Sequence, residues 1–274
     1  MSTPDSKQLA RFLSVAVEAA KRGAAELESW RSRFKVTEKF RADLVTDADH
    51  ASQKVVKETL LAAFPDHLFL GEEECVGKSP EETRPPADAP FVWVVDPLDG
   101  TANYVHDSPA YCVSIGLFAA GKPAVGVIHD PRMNEVFTAA TGLGAFLNGQ
   151  PMRVSTVETL ADGMLSTGFP ANYTKAVNNL KTWAKLMEHA QSLRRTGSTA
   201  LNLAYVAAGR YDGYWAHDNY AWDVMAGAVL VAEAGGSLTT IDGLPFDPFR
   251  PDILATNGRF HAEMLATING GVPA

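Results

Sequence analysis

The chain has 274 residues, 46% hydrophobic and 20% charged, which is globular composition and argues against a disordered protein. That length admits one large domain or two intimate halves around a sizeable core. The formal net charge of -8, from 32 acidic and 24 basic residues, disfavours a broad surface for phosphate backbones, so nucleic acid is not expected as a partner.

Residues 1–8 are polar and lack the apolar core of a signal peptide. The longest apolar stretches, 111–120 and 224–232, fall short of the ~20 residues that span a bilayer. Cys75 and Cys112 form no CxxC pair and suit free thiols in a reducing compartment. These features predict a soluble, cytoplasmic protein.

Leu9, Phe12, Leu13, Ala16, Ala20, Ala24 and Leu27 recur at helical spacing and predict an N-terminal amphipathic helix. A second helix is expected after Asp49, with Val55, Val56, Thr59, Leu60 and Ala63 facing inward and Phe64-Pro65 as its stop. Residues 75–90 carry five Gly or Pro residues among charges and read as an exposed, mobile loop. Strands follow at 91–95, 111–118, 124–129 and 135–139 as an antiparallel meander, with a tight turn at Asn148-Gly149.

Beyond residue 158 strands and helices alternate: strands at 163–167, 193–195, 211–215, 237–241 and 252–255, and helices at 174–190, 198–208, 222–234 and after Asn257. This pattern predicts a layered α/β sandwich in two halves, 1–150 and 151–274, with chemistry where they meet.

The stretch Trp93-Val94-Val95-Asp96-Pro97-Leu98-Asp99-Gly100-Thr101 carries the clearest chemistry. An apolar strand delivers two carboxylates, three residues apart, into a Pro/Gly turn. With the Leu98 carbonyl they make a partial oxygen shell for a hard divalent cation, and the N–H groups of Gly100 and Thr101 suit a phosphate oxygen. Alone, the same residues also read as a solvated turn. Three other acidic segments accompany them in order: residues 43–49, ending at Asp49; Gly71-Glu72-Glu73-Glu74; and Trp222-Asp223 at the head of a small-residue helix.

Together these motifs resemble the inositol monophosphatase family, along nearly the whole chain from about residue 8 to 268. The resemblance implies an αβαβα sandwich of the sugar-phosphatase type, a likeness to Mg2+-dependent, lithium-sensitive homodimeric phosphatases, and hydrolysis of a small-molecule phosphate monoester. It implies that Glu72, Asp96 and the Leu98 carbonyl hold one Mg2+, that Asp96, Asp99 and Asp223 hold a second, and that Glu72, with Asp49 through water, supports a third. Thr101, beside Asp49, and Glu72 would activate water for in-line attack without a phosphoenzyme. Asp99, Gly100, Thr101, Thr199 and Asp223 would meet the substrate. Bound cations would also reconcile an acidic protein with an anionic substrate.

One departure stands out: where many members carry a glutamate for polyol hydroxyls, this chain has Ala216, followed by His217 and Asp218. The resemblance therefore points to inositol 1-phosphate first, with histidinol phosphate, fructose 1,6-bisphosphate and 3′-phosphoadenosine-5′-phosphate as alternatives. A regulatory binding protein with a role in RNA metabolism is the alternative of another class. Asp47-Ala48-Asp49 superficially matches the nucleophilic pair of haloacid-dehalogenase phosphatases, but residues 39–43 make a poor strand before it. No GxxxxGK[ST] sequence supports a P-loop NTPase.

Overall fold

The computed structural model describes residues 3–40, 43–170 and 176–270. The chain opens with α1 (Ser6–Trp30), capped by Asp5 and Gln8, each side chain bonded to the other's backbone N–H at 2.8 and 3.0 Å. Its buried stripe is the expected one, from Leu9 to Leu27. A short antiparallel ribbon follows, β1 (Val36–Phe40) and β2 (Asp43–Thr46), which the sequence reading gave no strands. α2 (Asp47–Ala63) begins two residues before Asp49 because Thr46 is its N-cap. Val56 and Leu60 are buried as expected, but the same face also buries Ser52 and Gln53.

The central sheet has seven strands: β3 (Leu68–Gly71), β4 (Phe91–Asp99), β5 (Cys112–Ala119), β6 (Lys122–Asp130), β7 (Glu135–Ala140), β8 (Gly144–Leu147) and β9 (Gln150–Pro151), in that spatial order. β3 pairs with β4 in parallel and the rest is the antiparallel meander. β4 does not stop at Asp96. It continues to Asp99 through a register break that lets Pro97 pass without a ladder N–H. The Asn148-Gly149 turn joins β8 to β9 with both residues at positive φ. α3 (Thr101–Val105) starts directly after the Gly100 turn.

The second half contributes β10 (Met164–Thr167), α4 (Ala176–Met187), β11 (Ser192–Arg194), α5 (Thr199–Ala207), β12 (Gly213–Ala216), α6 (Ala221–Glu233), β13 (Ser237–Thr239), β14 (Ile253–Thr256) and α7 (His261–Asn269). Its five strands lie in the order β11-β10-β12-β14-β13. The start of the helix expected at 174 lies outside the described residues.

The layers follow from which faces are apolar. α1 and α2 cover one face of the large sheet, and α5 and α6 fill the space between the two sheets. α4 and α7 cover the outer face of the small one. The result is an αβαβα sandwich. Among the described residues no helix is long and apolar enough to cross a membrane.

Residues 75–90 are mostly exposed, as expected, but the segment is anchored at several points. Cys75, Pro80 and Thr83 are buried, Arg84 pairs with Asp247 at 2.5 Å, and the Lys78 carbonyl accepts the Tyr220 hydroxyl at 3.0 Å. The composition suggested a free loop because these anchors come from residues far along the chain.

α6 rests on the large sheet at backbone contact. A Cβ on Gly116 would lie 2.3 Å from Met225 Cγ, and one on Gly126 2.3 Å from the Ala226 carbonyl oxygen. Backbone cannot yield as a side-chain tip can, so Gly126→Ala should destabilise the fold by roughly 1–3 kcal/mol through overpacking. Urea unfolding followed by circular dichroism measures this, and an unchanged midpoint would show that the sheet and α6 are less tightly apposed.

Candidate functional site

Sheet register assembles the acidic cluster. Parallel pairing places Gly71 opposite Val95, so one step further Glu72 stands beside Asp96. On its other side Asp96 is opposite Ser114, whose hydroxyl donates to the Trp222 carbonyl at 3.3 Å. That bond docks the start of α6, and with it Asp223, against the same strand. Asp96 is 2% exposed, Asp99 8% and Asp49 1%.

The electrostatics follow from this crowding. Burial pushes the Asp96 carboxyl well above the usual carboxylate range, and the negative charges of Glu72, Asp99 and Asp223 push it further, against one N–H bond from Leu98 at 3.0 Å. Asp99 is pushed up to about 6, mainly by burial, against hydrogen bonds from Ser198, Ala200 and Thr199. No lysine or arginine is among the groups acting most strongly on either carboxyl. Among the described residues no group of three or more acidic, imidazole or thiol side chains is placed so that it could by itself hold a metal ion. The charges of Glu72, Asp99 and Asp223 nonetheless all act on Asp96, and oxygen donors brought together in this way suit a hard divalent cation such as Mg2+.

Asp49 sits in the first turn of α2, where its Oδ2 accepts the Thr46 N–H at 2.8 Å and the Thr46 hydroxyl at 2.6 Å. Its Oδ1 faces the Thr101 hydroxyl at 3.2 Å, which also reaches the Leu98 carbonyl at 3.1 Å. One proton serves both acceptors, so Thr101, Asp49 and Leu98 form a small network beside Asp96 and Asp99. Gly100 makes the turn possible: its φ is 93°, and a Cβ there would meet the Ala110 carbonyl at 2.7 Å.

The second half reaches the site through α5. Asp99 Oδ2 accepts the Ser198 hydroxyl at 2.6 Å and the Ala200 N–H at 2.7 Å, while Oδ1 faces the Thr199 N–H at 3.3 Å. The backbone near Thr199, expected to meet substrate, is thus turned toward Asp99. The Thr199 side chain bonds the Tyr214 hydroxyl at 3.0 Å, with Gly168 packed close enough that a Cβ would lie 3.1 Å from that hydroxyl. Ala216 shares its face of β12 with Tyr214, by strand alternation. His217 is turned toward Thr182 of α4 at 3.5 Å, and burial lowers its pKa.

Ser52, Gln53, Ser114 and Ser198 escaped the sequence reading. Ser52 and Gln53 stand three and four residues after Asp49, the spacing of one helix face, and that was the signal available. Two wider clefts lie elsewhere: about 750 Å3 between α1 and α2, and about 630 Å3 between the β5–β6 turn and α6. Neither is lined by any of these carboxylates.

A sequence profile of the inositol monophosphatase family matches residues 8–271. The chain is 42% identical over 259 residues to an inositol-1-monophosphatase of Synechocystis sp., covering 93% of this chain and 88% of that protein. It is 39% identical over 270 residues to the Nus factor SuhB of Pseudomonas aeruginosa, covering 96% and 97%. Among solved structures, the inositol monophosphatase of Anabaena (Nostoc) sp. superposes with a TM-score of 0.84 at 40% identity, over 97% of this chain and 98% of that one. Both the profile and the relatives span the acidic motifs and the two sheets, and the chain belongs to the inositol monophosphatase family.

Proposed function

We propose that this phosphatase hydrolyses a small-molecule phosphate monoester with Mg2+, inositol 1-phosphate being the first candidate. The observation that carries the reading is the convergence of Glu72, Asp99 and Asp223 on the buried Asp96 carboxyl, whose pKa all three push up. Glu72, Asp96 and the Leu98 carbonyl would hold one ion, and Asp96, Asp99 and Asp223 a second. Glu72, with Asp49 through water, would support a third. When bound, Mg2+ supplies positive charge for the phosphoryl oxygens and the departing oxygen. Glu72 would take the proton of the attacking water, the Thr101 hydroxyl, held by Asp49, would help orient that water, and the leaving oxygen would be protonated from solvent. Attack in line breaks the bond from phosphorus to the leaving oxygen, with no covalent bond to the protein.

Asp96→Asn removes a shared carboxylate and should abolish turnover. The linkage gives a second readout. The raised pKa of Asp99 means that the folded chain without metal holds its proton more tightly than the unfolded chain. The stability this contributes is fully present below the unfolded carboxyl value and is lost as pH rises through about 6. Added Mg2+ should therefore raise Tm more at about pH 7.5 than at about pH 5, and the rise should shrink in the variant. Near-wild-type turnover of Asp96→Asn at saturating Mg2+ would sink the assignment.

Ala216 bears on the leaving group. Its face of β12 also carries Tyr214, beside Thr199, so a glutamate there would point toward the same region. A charge-assisted bond to a sugar hydroxyl contributes roughly 1.5–3 kcal/mol, so Ala216→Glu should raise kcat/KM for inositol 1-phosphate by about tenfold or more. Asp218→Asn should instead harm the cationic substrate histidinol phosphate more than the polyol. A kinetic comparison in which neither change alters the ranking would place the specificity pocket elsewhere.

We also propose a homodimer. On α4, Val177, Leu180 and Met187 are 47%, 55% and 62% exposed, and with exposed Ala184 they repeat at the spacing of a helix-packing seam. Sedimentation should give twice the 29.4 kDa of one chain, falling toward one chain for Leu180→Asp. A wild-type protein that sediments as one chain at micromolar concentration rejects this assembly.

A further inference from the structure

The first turns of α2 present Asp49, Ser52 and Gln53 on one face, and each reaches a different segment of the acidic cluster. Asp49 faces Thr101 at 3.2 Å, the Ser52 hydroxyl donates to the Pro97 carbonyl at 2.9 Å, and Gln53 Oε1 accepts the Glu73 N–H at 3.1 Å. Ser52 is fully buried and Gln53 is 7% exposed, so neither contact is a casual surface bond. Pro97 lies where the β4–β5 register breaks, and its carbonyl belongs to the peptide whose N–H, that of Leu98, donates to Asp96 at 3.0 Å. The Glu73 N–H belongs to the 3-10 turn that begins at Glu72. Gly71 makes room for the amide: a Cβ there would lie 2.4 Å from Gln53 Oε1 and 2.7 Å from Gln53 Cδ.

We propose that Ser52 and Gln53 are positioning residues that set the Glu72 turn and the Asp96–Leu98 turn at the separation needed to share a divalent cation. This inference rests on the metal-dependent reading above. Glu72 and Asp96 repel each other, and the β3–β4 pairing ends at Gly71 and Val95, one residue before them, so pairing alone does not fix their spacing. A rigid helix bonded to both turns does. Partners that orient a ligand from outside typically change metal affinity by about 10–100-fold when lost.

The test is titration of the full-length protein with MgCl2 alone, followed calorimetrically, with urea unfolding on the same samples. Gln53→Met keeps length and removes the acceptor. Ser52→Ala removes the donor, and Gly71→Ala pushes on the amide from outside. Each should weaken Mg2+ binding about tenfold or more. Gln53→Glu keeps an acceptor for the Glu73 N–H and should retain more affinity than Gln53→Met. Val56→Ala, on the same helix and fully buried but apolar, should lose stability while binding Mg2+ as wild type does.

Wild-type binding with unchanged affinity in Gln53→Met, Ser52→Ala and Gly71→Ala overturns the inference and leaves the phosphatase reading intact. So does an equal loss of affinity in Val56→Ala, because general loosening would then explain the effect. A wild-type chain that takes up no Mg2+ overturns the parent reading and this one with it.

Discussion

The fold is organised around an unfavourable act: burying several carboxylates together. Asp49, Asp96 and Asp99 are each at most 8% exposed, and desolvation alone disfavours their charged forms. Among the contacts described, the chain answers with neutral donors. Thr46 and Thr101 serve Asp49, the Leu98 N–H serves Asp96, the start of α5 serves Asp99, and the Tyr220 N–H bonds Asp223 at 2.7 Å. These bonds orient the carboxylates without cancelling their charge. On the metal-dependent reading proposed above, a cation held there would supply the positive charge with which an acidic protein meets a phosphate ester.

The same constraint explains why so many helices begin at one place. α2 carries Asp49 and α6 carries Asp223 at the third position, and the first N–H groups of α5 point at Asp99. A helix N-terminus presents partial positive charge, worth about 0.3–1 kcal/mol to a nearby anion. Such ends place backbone N–H donors against the cluster, at Asp99 from α5 and at Asp223 from the start of α6.

This arrangement determines what the sequence could reveal. Asp96 and Asp99, Glu72, and Asp223 were legible because each sits in a short motif at an element's end, where turn and capping chemistry leave a local trace. The meander was legible because its strands are neighbours in sequence with turns between them. The parallel β3–β4 pair carried less signal, since residues 72–90 separate the strands and the register that brings Glu72 to Asp96 is not a local property. Residues 75–90 misled for the same reason: Arg84 finds Asp247, and Lys78 finds Tyr220, only after folding. Ser52 and Gln53 were overlooked because polar residues on a helix ordinarily face solvent, and only the opposite strand turns show that these do not.

The close packing of α6 is part of the same design rather than a separate stability feature. Asp223 stands at the head of α6, so its position relative to Asp96 depends on how closely that helix lies on β5 and β6. Gly116 and Gly126 bring helix and sheet to backbone contact, where sliding would force hard overlap. Gly227 lets α5 press its Leu203 against α6 as closely, since a Cβ there would lie 2.4 Å from Leu203 Cβ. α5 is in turn fastened at its start to Asp99 of β4. Strand, helix and helix therefore close a mechanical loop through the site: β4 holds α5 by a carboxylate, α5 abuts α6, and α6 is pinned to the sheet beside β4. A carboxylate in this loop has little freedom to relax away from its neighbours, so their repulsion is answered by proton uptake, with the Asp96 and Asp99 carboxyls both pushed above the usual range, rather than by movement.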